Sequence, residues 1–223
     1  MEKYIIIIAG PSGAGKTTVA DLLIERLGYL EMSRSATTRP KRGDGKDAEY
    51  VYLSKEEFIL SKERGDMLES TEYGGNFYGT RRNEIEAIFD KGKIPILVLD
   101  YNGVRSLKAS LDYPVFAFYV YTSLAEAKAR LLKRDKETPP SEKKASVLES
   151  RLRQNRDDYT VLKSFSDIFD CYVENYDLDA CLCELTVALD LLKSGGSPMS
   201  LCEKNALTDR FFDEAKNFCD ENF

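Results

Sequence analysis

The sequence predicts an α/β fold, a parallel sheet covered by helices on both faces, and three observations carry that expectation. Apolar runs of strand length alternate with amphipathic helical segments along most of the chain, the pattern from which parallel sheets are built. The first apolar run, Tyr4 to Ala9, leads straight into a glycine-rich turn and then a helix. Residues 31 to 90 differ in texture: Arg, Thr, Gly, Tyr and acidic residues dominate and long apolar runs are missing, which marks a subdomain inserted after the first strand–helix unit. The 223 residues are enough for one large domain carrying small insertions.

The turn is Gly10-Pro11-Ser12-Gly13-Ala14-Gly15-Lys16-Thr17, followed by Thr18 to Leu27, where Ala20, Leu23, Ile24 and Leu27 recur on one helical face. The order of buried strand, glycine-rich turn and amphipathic helix is what separates a phosphate-binding loop from a chance match. Gly10, Gly13 and Gly15 open backbone angles closed to other residues, so that N–H groups turn inward as an anion cradle. The helix adds its positive end. Lys16 is placed to reach the β- and γ-phosphates of a nucleotide, and the Thr17 hydroxyl to ligate Mg²⁺.

At 43% hydrophobic and 31% charged residues, with a net charge of −6, the composition is that of a soluble globular protein and argues against a broad nucleic-acid surface. The N-terminal apolar run is too short for a membrane span and no signal-peptide pattern precedes it, so a cytoplasmic protein without membrane attachment is expected. Cys171, Cys181, Cys183, Cys202 and Cys219 are odd in number and lack a C-x-x-C pair, which argues against a disulfide framework and for free, mostly buried thiols. With no histidine, a zinc site would need four thiolates, and their spacing does not suit one.

Taken in order, Tyr50 to Leu53 is a short strand candidate. Ser54 to Lys62 opens a helix with Ser54 as N-cap and Glu57 at the capping-box position. Tyr73 to Thr80 (Tyr-Gly-Gly-Asn-Phe-Tyr-Gly-Thr) reads as a turn-rich loop, and Arg81 to Phe89 as a helix. Core texture returns at Ile94 to Leu99, a buried strand closed by Asp100, then a short helix at Asn102 to Ser110 and a strand at Val115 to Tyr121. Leu124 to Arg134 is helical, residues 135 to 144 with Pro139-Pro140 read as a mobile loop, and Ala145 to Leu162 as a helix. Ile168 to Glu174 is the final strand and Leu178 to Lys193 the final core helix. Ser194 to Pro198 has the composition of a linker. Beyond it Leu207, Phe211, Ala215, Phe218 and Cys219 share one helical face, expected to pack on its own domain, with a partner or dimer contact as the alternative.

A second constellation follows the loop. Ser35-Ala-Thr-Thr-Arg39-Pro-Lys-Arg42 offers hydroxyls and guanidiniums whose forks match phosphate oxygens. Glu69, Tyr78, Thr80 and Asp100 add carboxylates and hydroxyls suited to a purine. With these residues the sequence resembles guanylate kinase over about residues 4 to 193, through the loop at 10 to 17, Thr-Thr-Arg-Pro-Lys-Arg at 37 to 42, Glu69, Gly-Asn-Phe-Tyr-Gly-Thr at 75 to 80, Leu-Asp-Tyr-Asn-Gly-Val at 99 to 104, and Arg130, Arg134 and Arg151.

The resemblance implies a three-layer P-loop kinase: an ATP-binding core (1–31, 91–133 and 151–193), a GMP-binding insert (32–90), a helical lid (134–150), and a linker with a C-terminal helix (194–223) outside the resemblance. It implies transfer of the γ-phosphoryl of ATP to GMP, with Mg²⁺, by a monomer or homodimer. By position, Gly10 to Thr18 and Asn175 would hold ATP. Ser35, Arg39, Arg42, Tyr50 and Tyr78 would hold the GMP phosphate, and Glu69, Gly79, Thr80 and Asp100 would surround the guanine. Lys16, Arg39, Arg130, Arg134 and Arg151 would act on the transferring phosphoryl. Arg130 and Arg134, four apart on a helix, project from one face. The family commonly has Asp-x-Asp after the central strand, and Val98 stands at the first Asp. The segment between Arg42 and Tyr50 is one residue shorter than usual, with Asp44 where Glu is common. A kinase for a ribose phosphate would not need Glu69, Thr80 and Asp100. A non-catalytic binding module would not need an intact loop and lid arginines.

Overall fold

The structure, a computed structural model, describes residues 2–41, 50–73, 75–137 and 144–218. The chain forms two compact units, Met1–Ile8 with Ala20–Phe116, and Ala9–Val19 with Ala117–Phe223. The first holds most of β1 (Ile5–Ala9) and α1 (Lys16–Leu27), then β2 (Leu30–Met32), β3 (Ser35–Thr37), β4 (Tyr50–Tyr52), α2 (Lys55–Glu63), β5 (Met67–Tyr73), β6 (Asn76–Arg81), α3 (Arg82–Asp90), β7 (Ile94–Val98) and α4 (Tyr101–Ser110). The second holds most of β8 (Val115–Tyr121), then α5 (Leu124–Glu137), α6 (Lys144–Leu162), β9 (Cys171–Glu174), α7 (Leu178–Lys193) and α8 (Leu201–Asn217).

In the first unit β2, β7 and β1 pair side by side in parallel, with Leu30 opposite Ile94 and Ile6 opposite Ile96. Ile5 to Ile8 are wholly buried, as expected of strands covered on both faces. The same unit carries a second, four-stranded sheet in the order β4-β3-β6-β5. There β3 and β4 run parallel while β6 is antiparallel to both β3 and β5. Ser54 caps α2 as its sequence predicts: its hydroxyl accepts from the Glu57 N–H at 3.1 Å and the Glu57 carboxylate accepts from the Ser54 N–H at 2.7 Å.

Three expectations need correction in detail. Tyr73 to Thr80 is no loop: β5 and β6 form a hairpin, with Tyr73 paired to Asn76 and Thr71 to Tyr78. The strand-forming Phe77 and Tyr78 outweigh the glycine signal, and Gly79 fits inside the strand where a Cβ would lie 3.1 Å from the Phe58 ring and 2.8 Å from the Glu69 carbonyl oxygen. β2 and β3, three residues each, are too short to show a period and escape the sequence reading. The last strand begins only at Cys171, after a 3₁₀ turn at Ser166–Ile168. The loop expected at 135 to 144 lies largely outside the described residues; α5 runs on to Glu137 and α6 starts at Lys144.

In the second unit β8 and β9 pair in parallel, Phe118 opposite Cys171, with α7 packed on β9 and α6 packed on both α5 and α8. Phe211 of α8 is buried against Tyr159, stacked at 4.5 Å, and against the edge of Tyr121 at 4.8 Å. The Glu214 carboxylate accepts from the Leu124 N–H at 2.6 Å, closing an otherwise open donor at the start of α5. The C-terminal helix thus packs on its own unit; Leu207, Phe211 and Ala215 are buried, whereas Phe218 follows the helix end and Cys219 is outside the described residues. Of the described thiols only Cys171 and Cys181 are buried; Cys183, two positions on along α7, faces outward, and Cys202 is exposed too. Among the described residues no helix is long and apolar enough to cross a membrane.

Candidate active site

The phosphate loop belongs to the second unit. At Gly10, φ is +143° and a Cβ would stand 1.9 Å from the Val120 carbonyl oxygen, so only glycine lets the loop leave β1 this close to β8. At Gly15, φ is +86° and a Cβ would meet the Asn175 amide at 2.6 Å. Asn175 is buried and its Nδ2 donates to the Ala14 carbonyl at 2.7 Å. On the opposite side the buried Asn155 of α6 accepts from the Ser12 N–H at 2.7 Å and donates to the Ser12 carbonyl at 2.8 Å. α1 begins at Lys16, so its first amides and its positive dipole end open on the loop. The Lys16 ammonium donates to the Pro11 carbonyl at 2.9 Å, folded over the loop it serves. Pro11 and Ala14 are buried; Thr17 is half-buried and Thr18 exposed.

Arg130 is brought to this loop's neighbourhood by α5. Its guanidinium donates to the Asn175 carbonyl at 2.8 Å and to the Glu126 carboxylate, one turn earlier, at 2.8 Å. Arg134 is exposed one turn on and Arg151 is half-buried on α6, and among the described residues no hydrogen bond joins either to the loop.

The predicted acceptor residues gather in the first unit, on the four-stranded sheet. Tyr50 lies opposite Ser35, Ser35 opposite Thr80, and Thr80 opposite Glu69, so four residues from four strands form one row across the sheet. Two residues along, Tyr52, Thr37, Tyr78 and Thr71 form a second row on the same face. The Thr80 hydroxyl donates to the Glu69 carboxylate at 2.7 Å, both groups buried. Burial pushes the Glu69 carboxyl up to about 7, and the Asp100 charge pushes the same way, against the bond from Thr80. Asp100 itself caps α4, accepting from the Gly103 N–H at 2.8 Å. Gly79, between the rows, packs on Phe58 rather than on the residue rows. Arg39 is buried at the sheet edge, with its guanidinium 5.0 Å from the Tyr50 ring and 5.8 Å from the Tyr52 ring, and donating to the Tyr52 hydroxyl at 3.3 Å. Arg42 lies outside the described residues.

Sequence reasoning missed Asn155 and Tyr52, and quoted Thr37 only within the 35–42 stretch without a role of its own. Tyr52 carried a usable signal, since it stands two residues after Tyr50 on the same strand face. Asn155 stands four after Arg151, on the same helical face.

The residues thus divide into an anion cradle with a lysine and an arginine at hand, and a polar face that ends in a buried carboxylate–hydroxyl pair. The family model for guanylate kinase matches residues 2–191 of the chain. The guanylate kinase of Thermotoga maritima is 36% identical over 192 residues, which span 85% of this chain and 86% of that enzyme. That of Rubrobacter xylanophilus is 31% identical over 195 residues, spanning 87% of this chain and 97% of the relative. The crystal structure of guanylate kinase from Anaplasma phagocytophilum shares the fold, with a TM-score of 0.62 at 24% identity over 95% of this chain and 96% of that one. From the matched length and the identities together, this chain belongs to the guanylate kinase family.

Proposed function

We propose that the protein transfers the γ-phosphoryl group of ATP to GMP, giving ADP and GDP. The observation that carries the acceptor's identity is the row Tyr50, Ser35, Thr80 and Glu69, with Thr80 and Glu69 already paired at 2.7 Å. Guanine presents N1–H and N2–H₂ donors beside an O6 acceptor. Glu69 accepts from N1–H and N2–H, the Thr80 hydroxyl turns to O6, and Asp100 takes the second N2 hydrogen. Hydroxyls of Ser35, Tyr50 and Tyr78, with Arg39 and Arg42, bind the GMP phosphate.

The acceptor atom is a phosphate oxygen, ionised at neutral pH, so a chain without histidine lacks nothing for this step. A bond forms from that oxygen to the γ-phosphorus as the bond to the β–γ bridging oxygen breaks, and ADP departs with the electron pair. The protein's part is alignment and charge stabilisation. Loop amides and Asn175 hold ATP, Lys16 and Arg130 balance charge on the β- and γ-phosphates, Arg134 and Arg151 act on the transferring group, and Arg39 acts on the acceptor phosphate. The Thr17 hydroxyl at the start of α1 is a hard oxygen of the kind Mg²⁺ takes, and Val98 offers none. When bound, the ion neutralises charge shared by the two terminal phosphates.

A coupled ADP-release assay across GMP, dGMP, AMP and ribose phosphates tests the reading. Adenine has no hydrogen on N1 and an amino group in place of O6, so it offers Glu69 no N1 donor and the Thr80 hydroxyl no acceptor. GMP is expected to exceed AMP in kcat/KM by a factor on the order of 10³ to 10⁴. Comparable rates with AMP, or with a sugar phosphate, would overturn it.

A further inference from the structure

We propose that Asn155 is a positioning residue for the phosphate loop, an assignment that rests on the ATP-site reading above. It is 1% exposed on α6 and separated from Ser12 by 143 residues of sequence. Its Oδ1 accepts from the Ser12 N–H at 2.7 Å while its Nδ2 donates to the Ser12 carbonyl at 2.8 Å. Both polar groups of one loop residue are thereby met by both groups of one amide. The orientation is self-determining, because turning the amide over would set its NH₂ against the Ser12 N–H. An apolar side chain would fill a buried helix position without the desolvation cost that an amide carries. The polar residue is explained by what it grips.

Two consequences follow for catalysis. Ser12 sits mid-loop, so holding its peptide fixes the direction of the amides that come after it, and the cradle is set before any phosphate arrives. With Asn175 gripping the Ala14 carbonyl at 2.7 Å, the loop is clamped by two buried asparagines, one from α6 and one from the residue after β9. The Ser12 N–H is taken in this way, and the Ala14 N–H by the Pro11 carbonyl at 3.2 Å, so these two residues shape the cradle rather than offer it donors. The second consequence concerns Arg151, which lies four residues before Asn155 on the same face of α6. The clamp that sets the loop therefore also sets the helix from which Arg151 reaches the transferring phosphoryl.

The test compares Asn155→Ala and Asn155→Asp with the full-length wild type, titrating a non-hydrolysable ATP analogue and GMP separately by calorimetry. Asn155→Asp matches the amide in shape and keeps an acceptor for the Ser12 N–H, but it sets a carboxylate against the Ser12 carbonyl, so it stays informative should Asn155→Ala fail to fold. The expected result is a rise of about tenfold or more in the analogue's dissociation constant in each variant, with the GMP constant within about twofold of wild type. A residue that only filled space would lower the unfolding midpoint and leave both constants unchanged below it. That result, or a parallel loss of both nucleotides, would overturn the proposal. Failure of the wild type itself to bind the analogue would instead overturn the ATP-site reading.

Discussion

At the scale of single residues, Glu69 joins stability to the recognition proposed above. Its carboxyl is buried, bonded by Thr80, and raised from 4.5 to about 7 chiefly by burial. A carboxyl raised on folding adds stability below its unfolded value, and that stability is lost as pH rises through the folded value. The ligand-free protein should therefore lose stability from about pH 4.5 to pH 7 on account of this one group, by up to about 3 kcal/mol. Glu69→Gln carries no charge and should lose that part of the slope. Unfolding midpoints of wild type and variant at about pH 5 and pH 8 check it. Guanine acts in the opposite sense, because its N–H donors favour the ionised carboxylate, so GMP affinity should rise through neutral pH in the wild type. Glu69→Gln sets an NH₂ against guanine donors and should cut kcat/KM for GMP by about a hundredfold, with little change in KM for ATP. Equal GMP efficiency in the two proteins would remove Glu69 from the site.

At the scale of elements, what is local in the chain was legible and what depends on pairing was not. The cap of α2 could be read because Ser54 and Glu57 are three apart and bond to each other. The phosphate loop could be read because its glycines answer to backbone angles, as the φ of +143° at Gly10 shows. The row from Tyr50 to Glu69 could not, since its register is set between strands distant in sequence, and β3 is too short to announce itself. Resemblance supplied those residues without their geometry. Nor could the sequence tell what the C-terminal stripe covers. In the structure Phe211 of α8 is 3% exposed among Tyr119, Tyr121, Tyr159 and Tyr172, while Glu214 closes the start of α5, the helix that carries Arg130. The C-terminal helix therefore supports α5, whose Arg130 is proposed for the ATP site. Phe211→Ala should destabilise the protein by about 3–5 kcal/mol, read as a lower denaturant midpoint. A shift under about 1 kcal/mol would mean that α8 contributes little to this core.

At the scale of the whole molecule, the residues assigned to ATP and those assigned to GMP belong to different compact units, and the chain passes between these units within or beside the elements that bear the chemistry. It crosses at Ile8–Ala9, just before the phosphate loop, at Val19–Ala20, inside α1, and at Phe116–Ala117, inside β8. A direct transfer needs the γ-phosphorus and the acceptor oxygen in line and the transferring charge balanced, the part proposed above for arginines of α5 and α6. Neither nucleotide alone offers those arginines their full charge: ATP brings the donor phosphates, GMP the acceptor. Arg134 is exposed and, among the described residues, not hydrogen-bonded to the loop, so the contribution proposed for it would be gained on binding. Ordering driven by both substrates should then exceed the sum of the effects of each. Backbone hydrogen exchange over the last turn of α5 and the first turns of α6 is the measure. An ATP analogue with GMP should slow it well beyond either ligand separately, while the buried strand β1 should change little. Equal protection in the free and doubly liganded protein would show that these helices are set before substrate arrives. The lid role assigned to them would then fail, while the loop and the purine row would stand.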